Sequence, residues 1–428
     1  MSKEWFRHDR FGMFVHWGLY ALPARHEWVK NRERMTDAQY DRYFERFDPD
    51  LYDPREWAKS ARRAGMRYVV LTTKHHDGFC LWDSALTEYK VTNTPYGRDL
   101  LQPFVEACRA EGLRVGFYHS LIDWHHPSFP IDAVHPQRDD EEAKAQAAGR
   151  DIAEYRKYLH GQVRELLTDF GQIDYLFFDF SYAGRPDMWG GKGAEDWGSE
   201  ELLAMVRELQ PDILVNDRTG LPGDFVTPEQ YQPAGPMEGP DGPIAWEACQ
   251  TLNGSWGYDR DNFDYKSPDL LVRMLIDGVA KDGNLLLNVG PTGRGLIDPI
   301  AEATLAAIGD WVHLHERSIR GAGASQYVAP PDCRYTQNGD RLYLHLFSWP
   351  FKHVHLPDLA GRVRYAQLLS DASEIHLIEP DPSRIAEHTQ PGGQPPGTLT
   401  LQLPVRRPEV AVPVIELFLD PTASGENS

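Results

Sequence analysis

Near the middle of the chain an apolar run, Ile173-Asp174-Tyr175-Leu176-Phe177-Phe178-Asp179-Phe180-Ser181-Tyr182, is too continuous for a half-exposed strand and too short for a helix. Such a run reads as a strand buried on both faces, which places it in a parallel sheet covered by helices. Asp179 closes the run, and a carboxylate at the end of a buried strand is costly to place unless it is paired or reactive. Other segments repeat the pattern: 11–18 ends in His16-Trp17-Gly18, 68–74 in His75-His76-Asp77-Gly78, 113–120 in Tyr118-His119-Ser120, and 213–218 in Asp217-Arg218. Stretches with helical spacing lie between or after them at 53–65, 99–111, 151–170, 199–209, 267–281 and 298–316, and further apolar runs occur at 244–247 and 284–290. Repeated strand–helix units require a parallel sheet, and their number favours an α/β fold of the (β/α)8-like (TIM) barrel type over an open doubly wound sheet. No GxGxxG or GxxxxGK follows a strand, so nucleotide-binding sheets lose their main support.

The pattern changes near residue 325. From Arg341 onward short alternating apolar segments separated by Pro and Gly predict a small all-β C-terminal sandwich. The expected organisation is a catalytic barrel over 1–325, a sandwich over 326–421 and a disordered tail over 422–428. A formal charge of −20, from 44 basic and 64 acidic side chains, argues against nucleic acid and anionic membranes as partners. Cys80, Cys108, Cys249 and Cys333 lie far apart with no CxxC spacing, as free core thiols would. The first residues lack the apolar stretch of a signal peptide, and no run approaches the length of a membrane span, so the cytoplasm is the expected location.

In a barrel all strand ends converge on one face, which makes a single site of His16, His75, His76, Tyr118, His119, Asp179 and Arg218, with the loop residues Glu27, Trp28, Glu229 and Trp256. Histidines, Tyr and Arg donate to hydroxyls, Trp faces stack on the apolar side of a pyranose, and two carboxylates can cleave a glycosidic bond. At these positions the chain resembles the α-L-fucosidases of glycoside hydrolase family 29 over residues 5 to 320. The resemblance is carried by Arg10-Phe11-Gly12-Met13-Phe14-Val15-His16-Trp17-Gly18, Lys74-His75-His76-Asp77-Gly78-Phe79, Phe178-Asp179, Asn216-Asp217-Arg218 and Asn284-Leu285-Leu286-Leu287-Asn288-Val289-Gly290-Pro291, in this order.

The resemblance implies a retaining exo-α-L-fucosidase acting on fucosylated glycans or oligosaccharides by double displacement, with no cofactor and no metal, and with a β-sandwich after the barrel. By position, Asp179 would be the nucleophile that carries the fucosyl group, and Arg218 would hold it ionised. His16, Glu27, Trp28, His75, His76 and Tyr118 match positions that bind the sugar's hydroxyls and ring, and Trp256 matches an aromatic that packs on the C5 methyl. Glu229 is the best match for the acid/base by its distance after Arg218; Glu247, read as the end of a strand, is the rival. Whichever serves is expected to have a raised pKa. Phe177 stands where some relatives have Trp. Asp77 and Asp217 read as supporting or loop-capping residues, Asp174 as a solvated strand start and Trp82 as packing.

Two other functions compete. The histidines at 75, 76, 119, 125 and 126 could serve a metal-dependent hydrolase, although adjacent residues on a strand point to opposite faces and do not readily share one ion. A catalytically inactive carbohydrate-binding barrel is the second. The sequence leaves the natural glycan, its linkage and a homo-oligomeric state open.

Overall fold

The computed structural model describes residues 4–239, 242–379 and 392–420; the tail expected at 422–428 lies outside them. The strands of the first part of the chain are β1 (Phe11–Val15), β2 (Tyr68–Lys74), β3 (Arg114–Ser120), β4 (Tyr175–Asp179), β5 (Leu214–Val215), a two-residue hairpin β6 (Glu238–Gly239) and β7 (Gly242–Pro243), β8 (Trp246–Thr251) and β9 (Gly283–Val289). Seven of them form one parallel sheet in the order β5-β4-β3-β2-β1-β9-β8.

The (β/α)8-like barrel expected from the sequence takes the form of a seven-stranded, TIM-like half-barrel. Residues 225–229 lie between its two edges without forming a strand. Single parallel bridges tie them to both sides: Asn216 to Phe225, then Val226 to Trp246 and Glu229 to Cys249. Pro228 gives the physical reason, since it has no N–H for a ladder, although its carbonyl accepts from Cys249 N at 3.0 Å. The strand expected at 213–218 likewise shrinks to Leu214–Val215. Beyond it the Asn216 side chain takes the place of a backbone neighbour, accepting from Phe178 N and donating to Phe178 O, each at 2.9 Å. The end of β4 is thereby held in place beside Asp179.

Two apolar layers result. Outward-facing strand residues such as Val69, Leu71, Leu176, Phe178, Leu285 and Leu287 pack in the core that also holds helix residues Phe104, Leu159, Leu166 and Leu275. Inward-facing residues make a separate core of Phe14, Tyr68, Val70, Tyr118, Tyr175, Phe177 and Leu286, sealed below by Phe6 and Phe225. Period-two alternation sets this, so Tyr175, Phe177 and Asp179 share the interior face of β4. Gly12 supports it by close approach, because a Cβ there would lie 2.2 Å from the Tyr68 ring.

The main outer helices are Pro54–Arg63, Leu101–Ala110, Ile152–Thr168, Ser199–Leu209, Pro268–Val279 and Pro299–His315. Asp53, Asp151, Ser267 and Asp298 cap four of them through their side chains, and proline opens three. Helices Asp37–Phe44 and Glu141–Ala147 fall in stretches where no helical spacing was read. Each buries one residue, Tyr40 and Ala147 respectively, too little to give an apolar period. Among the described residues no helix is long and apolar enough to cross a membrane.

The C-terminal region holds β10 (Cys333–Asn338), β11 (Arg341–Leu346), β12 (His353–Leu356), β13 (Val363–Leu368), β14 (His376–Ile378), β15 (Leu399–Gln402) and β16 (Val414–Leu419). They form antiparallel sheets ordered β10-β11-β16-β13 and β12-β15-β14 around a core that includes Leu344, Leu356, Leu401 and Leu417. β10, which precedes the first strand expected at Arg341, was hidden by its polar sequence.

Helix Pro299–His315 approaches helix Pro54–Arg63 closely at Gly309, where a Cβ would lie 2.3 Å from the Arg63 carbonyl oxygen. Gly to Ala in a helix ordinarily stabilises by roughly 0.5–1 kcal/mol. Here the clash is with backbone and the sign should reverse. Gly309→Ala should lose about 1–3 kcal/mol in a denaturant titration; a gain would show that the two helices move apart freely.

Candidate active site

A cavity of about 450 Å³ opens at the C-terminal ends of the strands, the face where barrels of this type carry their chemistry. Phe14, Phe177 and Tyr118, from the interior core, line it together with His16, His75, His76, Asp179 and Cys249; Trp28, Phe180, Ser181, Tyr182, Arg185, Asp217, Arg218, Gly220, Glu229 and Trp256 also line it. Among the described residues none beyond Trp256 lines it, and the strands of the C-terminal sheets stand outside its wall.

Asp179 is the last residue of β4. Its Oδ1 accepts from Arg218 Nη1 at 2.7 Å and its Oδ2 from the Tyr118 hydroxyl at 2.8 Å, with His76 Nε2 at 3.8 Å. Burial alone would raise its pKa, but the guanidinium, His76 and the two hydrogen bonds outweigh that and hold the carboxyl below its ordinary value. Arg218 is itself fixed: Nε donates to Thr227 Oγ1 at 2.9 Å, Nη2 to Thr227 O at 3.3 Å, and the guanidinium lies 5.0 Å from the Phe177 ring centroid. Thr227 Oγ1 in turn donates to Asp217 at 2.9 Å, which gives Asp217 its supporting place.

Nη1 of Arg218 also lies 2.7 Å from Glu229 Oε2. Two oxygens that share one nitrogen at this distance can be no farther apart than about twice it, short of the roughly 6.5–9.5 Å that separates paired carboxyls acting by inversion. Glu229 is the more exposed of the two, 41% against 14% for Asp179.

The histidines are set by their second nitrogens. His16 Nδ1 lies 2.7 Å from Asn288 Oδ1, while Asn288 Nδ2 donates to Trp256 O at 2.7 Å. The amide oxygen therefore accepts, His16 carries its proton on Nδ1, and Nε2 is left as an acceptor. His76 repeats the arrangement, with Nδ1 2.7 Å from Ser120 Oγ, whose own hydroxyl donates to Ile122 O at 2.7 Å. Burial pushes both histidines down to about 4, so they are neutral near pH 7. They offer a ligand acceptors, where the sequence pointed to donors. Burial also pushes His75 well down; among the described residues its Nδ1 has no hydrogen-bond partner, and its ring lies 5.7 Å from that of Tyr118.

Trp28 and Trp256 present rings to the cavity, the first 5.1 Å from His76 and the second 5.1 Å from His16. Glu27 is placed differently. It lies behind the Trp256 loop, where Oε2 accepts from Trp256 N at 3.1 Å and Gly257 N at 2.8 Å, and it is absent from the cavity wall.

Three further histidines fall outside the cavity, among them His119, which the strand ends had grouped with the site. His119 Nδ1 bonds Thr73 Oγ1 at 3.0 Å, His125 stacks on Tyr89 at 3.7 Å, and His126 lies 4.3 Å from Tyr158. Among the described residues no three His, Cys, Asp or Glu side chains are grouped as metal ligands.

Glu247 is the second residue of β8, not its end. It lies in the closed interior beneath the cavity, accepting from the hydroxyls of Tyr68 and, at 2.7 Å, Tyr175. Burial pushes it up to about 7. The raised pKa expected of an acid thus occurs at a carboxyl that reaches no ligand. The sequence singled out none of Phe14, Phe180, Tyr182 and Arg185. For Phe14 the signal existed, since it lies on β1 two residues before His16 and so faces the same interior; the other three follow β4 in irregular loop, where no period marks orientation.

The family model described as alpha-L-fucosidase matches residues 1–317. Human tissue alpha-L-fucosidase is 28% identical over 378 residues, 81% of this chain and 76% of its own length. Among solved structures, alpha-L-fucosidase isoenzyme 1 from Paenibacillus thiaminolyticus is 46% identical with a TM-score of 0.91, covering 98% of this chain and 99% of that one. A glycoside hydrolase family 29 alpha-L-fucosidase from Bacteroides thetaiotaomicron, trapped as a covalent intermediate with 2-fluoro-fucosyl fluoride, is 26% identical with a TM-score of 0.83 over 98% and 96% of the two chains.

Glu247 yields a pH test with a definite sign. Its folded pKa, about 7, exceeds the unfolded value of 4.5. The folded state therefore keeps a proton that the unfolded state has lost, and stability falls as pH rises from 4.5 through 7. At about 1.4 kcal/mol per pKa unit the penalty is on the order of 3 kcal/mol. Glu247→Gln removes it, so the variant should gain on the wild type by a few kcal/mol between pH 5 and pH 8 in urea unfolding. An unchanged difference would mean that Glu247 is already ionised in the fold.

Proposed function

This chain belongs to the alpha-L-fucosidase family, glycoside hydrolase family 29, and we propose that its retaining hydrolysis of α-L-fucosides uses Asp179 as nucleophile and Glu229 as acid/base. The observation that carries the assignment is the pair of carboxylates on one nitrogen of Arg218, inside the cavity and closer together than inversion requires.

In the first step an Asp179 oxygen attacks C1 of the fucosyl group as the glycosidic C–O bond breaks, and Glu229 gives its proton to the departing oxygen. In the second, Glu229 takes a proton from water, the water oxygen bonds C1, and the ester to Asp179 breaks. Arg218 and Tyr118 keep Asp179 ionised and aimed. Glu229 must carry a proton in the first step, so it has to leave Nη1 of Arg218 when the sugar enters. Its greater exposure is what gives it the freedom to do so.

We assign His16, His75 and His76 to the sugar's hydroxyls, with the bare Nε2 of His16 and His76 accepting, and Trp28 and Trp256 to its apolar faces. We assign Glu27 an indirect part, fixing the Trp256 loop through two backbone N–H groups. The substrate we infer is a terminal α-L-fucosyl residue on a glycan or oligosaccharide.

Asp179→Asn should lower kcat on an aryl α-L-fucoside by about 1,000-fold or more, with the fold intact by circular dichroism. Glu229→Gln should lower kcat/KM by about 100- to 10,000-fold on a sugar leaving group and by much less on an acidic phenol, which needs little protonation. An equal loss on both would remove Glu229 from the acid role. The acid limb of kcat/KM should lie below the ordinary carboxylate range, because Asp179 is held low and the histidines stay neutral above about pH 4. A limb near pH 6.5 that disappears in His76→Gln would contradict this.

A further inference from the structure

Phe180 follows the nucleophile directly, and its φ is 83°. An L side chain enters that region reluctantly, and a bulky one there is a genuine outlier; glycine would occupy it without strain. Two other residues with positive φ also adjoin site residues, His26 before Glu27 at 81° and Gln230 after Glu229 at 59°. Strain kept at a site asks what the side chain supplies in return.

The Phe180 ring is only partly buried and lines the cavity. Neighbouring rings fix its position: His76 at 5.1 Å and 65°, Tyr182 at 5.1 Å and 62°, Trp28 at 5.4 Å and 49°. The closed end of the cavity is made by Phe14, Phe177 and Tyr118 from the interior core. Phe180, Tyr182, Arg185 and Gly220 come from loops beyond the strand ends, at the open end. A terminal sugar with C1 at Asp179 fills the closed end, so the group attached to C1 has to leave through the open one. Arg185 stands there as well, more than half exposed and paired only loosely with Asp187 at 3.3 Å.

We propose that Phe180 is a specificity-determining residue for the leaving group, a platform on which the sugar next to fucose lays its apolar face while Arg185 donates to that sugar's hydroxyls. The inference rests on the fucosidase reading and deepens it by naming the second sugar's subsite. A pyranose presents a patch of C–H groups to an aromatic ring, and a ring held at fixed orientation by three neighbours spends little entropy in receiving it. The strained backbone is what brings the ring to the open end, immediately beside the carboxylate that receives the first sugar.

The test compares wild type, Phe180→Gly and Phe180→Tyr on two substrates that share the fucosyl group. α-L-Fucosyl fluoride has a leaving group too small to reach the platform; α-L-fucosyl-D-galactose does not. In Phe180→Gly the melting temperature should hold or rise, since strain is relieved. Its kcat/KM on the fluoride should stay within about threefold, while that on the disaccharide should fall about tenfold or more, mainly through KM. Phe180→Tyr should keep the disaccharide rate. Equal losses on both substrates, with a lower melting temperature, would make Phe180 a packing residue and overturn the proposal, as would an unchanged disaccharide rate. A wild type that turns over neither substrate overturns the fucosidase reading itself, and the subsite with it.

Discussion

Two carboxylates, Asp179 and Glu229, each lie 2.7 Å from the same nitrogen of Arg218. At no more than about 5 Å apart and an effective dielectric near 20, two bare carboxylates would repel by about 3 kcal/mol or more, and one would be driven to take up a proton. A guanidinium between them turns that repulsion into two attractions. The fold is arranged to supply it. Arg218 stands just beyond a strand of only two residues, and its three donor nitrogens are taken up by Thr227, Asp179 and Glu229. Thr227 and Glu229 belong to the segment that spans the gap between the sheet's edges. The irregular stave is thus where the second carboxylate can be mounted on the interior face and still move.

The same logic explains the deep interior. Glu247 and its two tyrosines occupy the layer below Phe177, where a carboxylate has no cation and is pushed toward neutrality. Asp179, one layer higher on the same face of β4 as Tyr175 and Phe177, has Arg218 and Tyr118 and is held ionised. Two buried acids in one barrel are driven in opposite directions by their neighbours, and a raised pKa alone would have picked out the one that reaches no ligand.

The layer structure was legible from Ile173 to Asp179 and from Tyr68 to Lys74, because continuous apolar runs leave little choice but a covered parallel strand. The convergence of His16, His76, Tyr118, Asp179 and Arg218 followed from strand ends alone. What the sequence hid was the substitution of side chain for backbone. Asn216 completes β4 where a strand was expected, and Pro228 prevents an eighth strand where one was needed. Glu27 pointed to the sugar by position, yet its reach to Trp256 N depends on how two loops far apart in the chain meet. The Phe180 ring was invisible for a related reason, since its orientation comes from a backbone angle that no periodicity encodes.

The histidines show the cost of reading residue types without their second contacts. Burial keeps His16 and His76 neutral, and Asn288 and Ser120 decide which nitrogen faces the cavity. The mechanism turns on which carboxylate carries the sugar. The most direct measurement is incubation with 2-deoxy-2-fluoro-α-L-fucosyl fluoride, followed by digestion and peptide mass spectrometry. A single fucosyl adduct on the peptide containing Asp179, with fragmentation placing it on that residue, is the predicted result. An adduct on Glu229, or none in an enzyme that turns over fucosides, would contradict it.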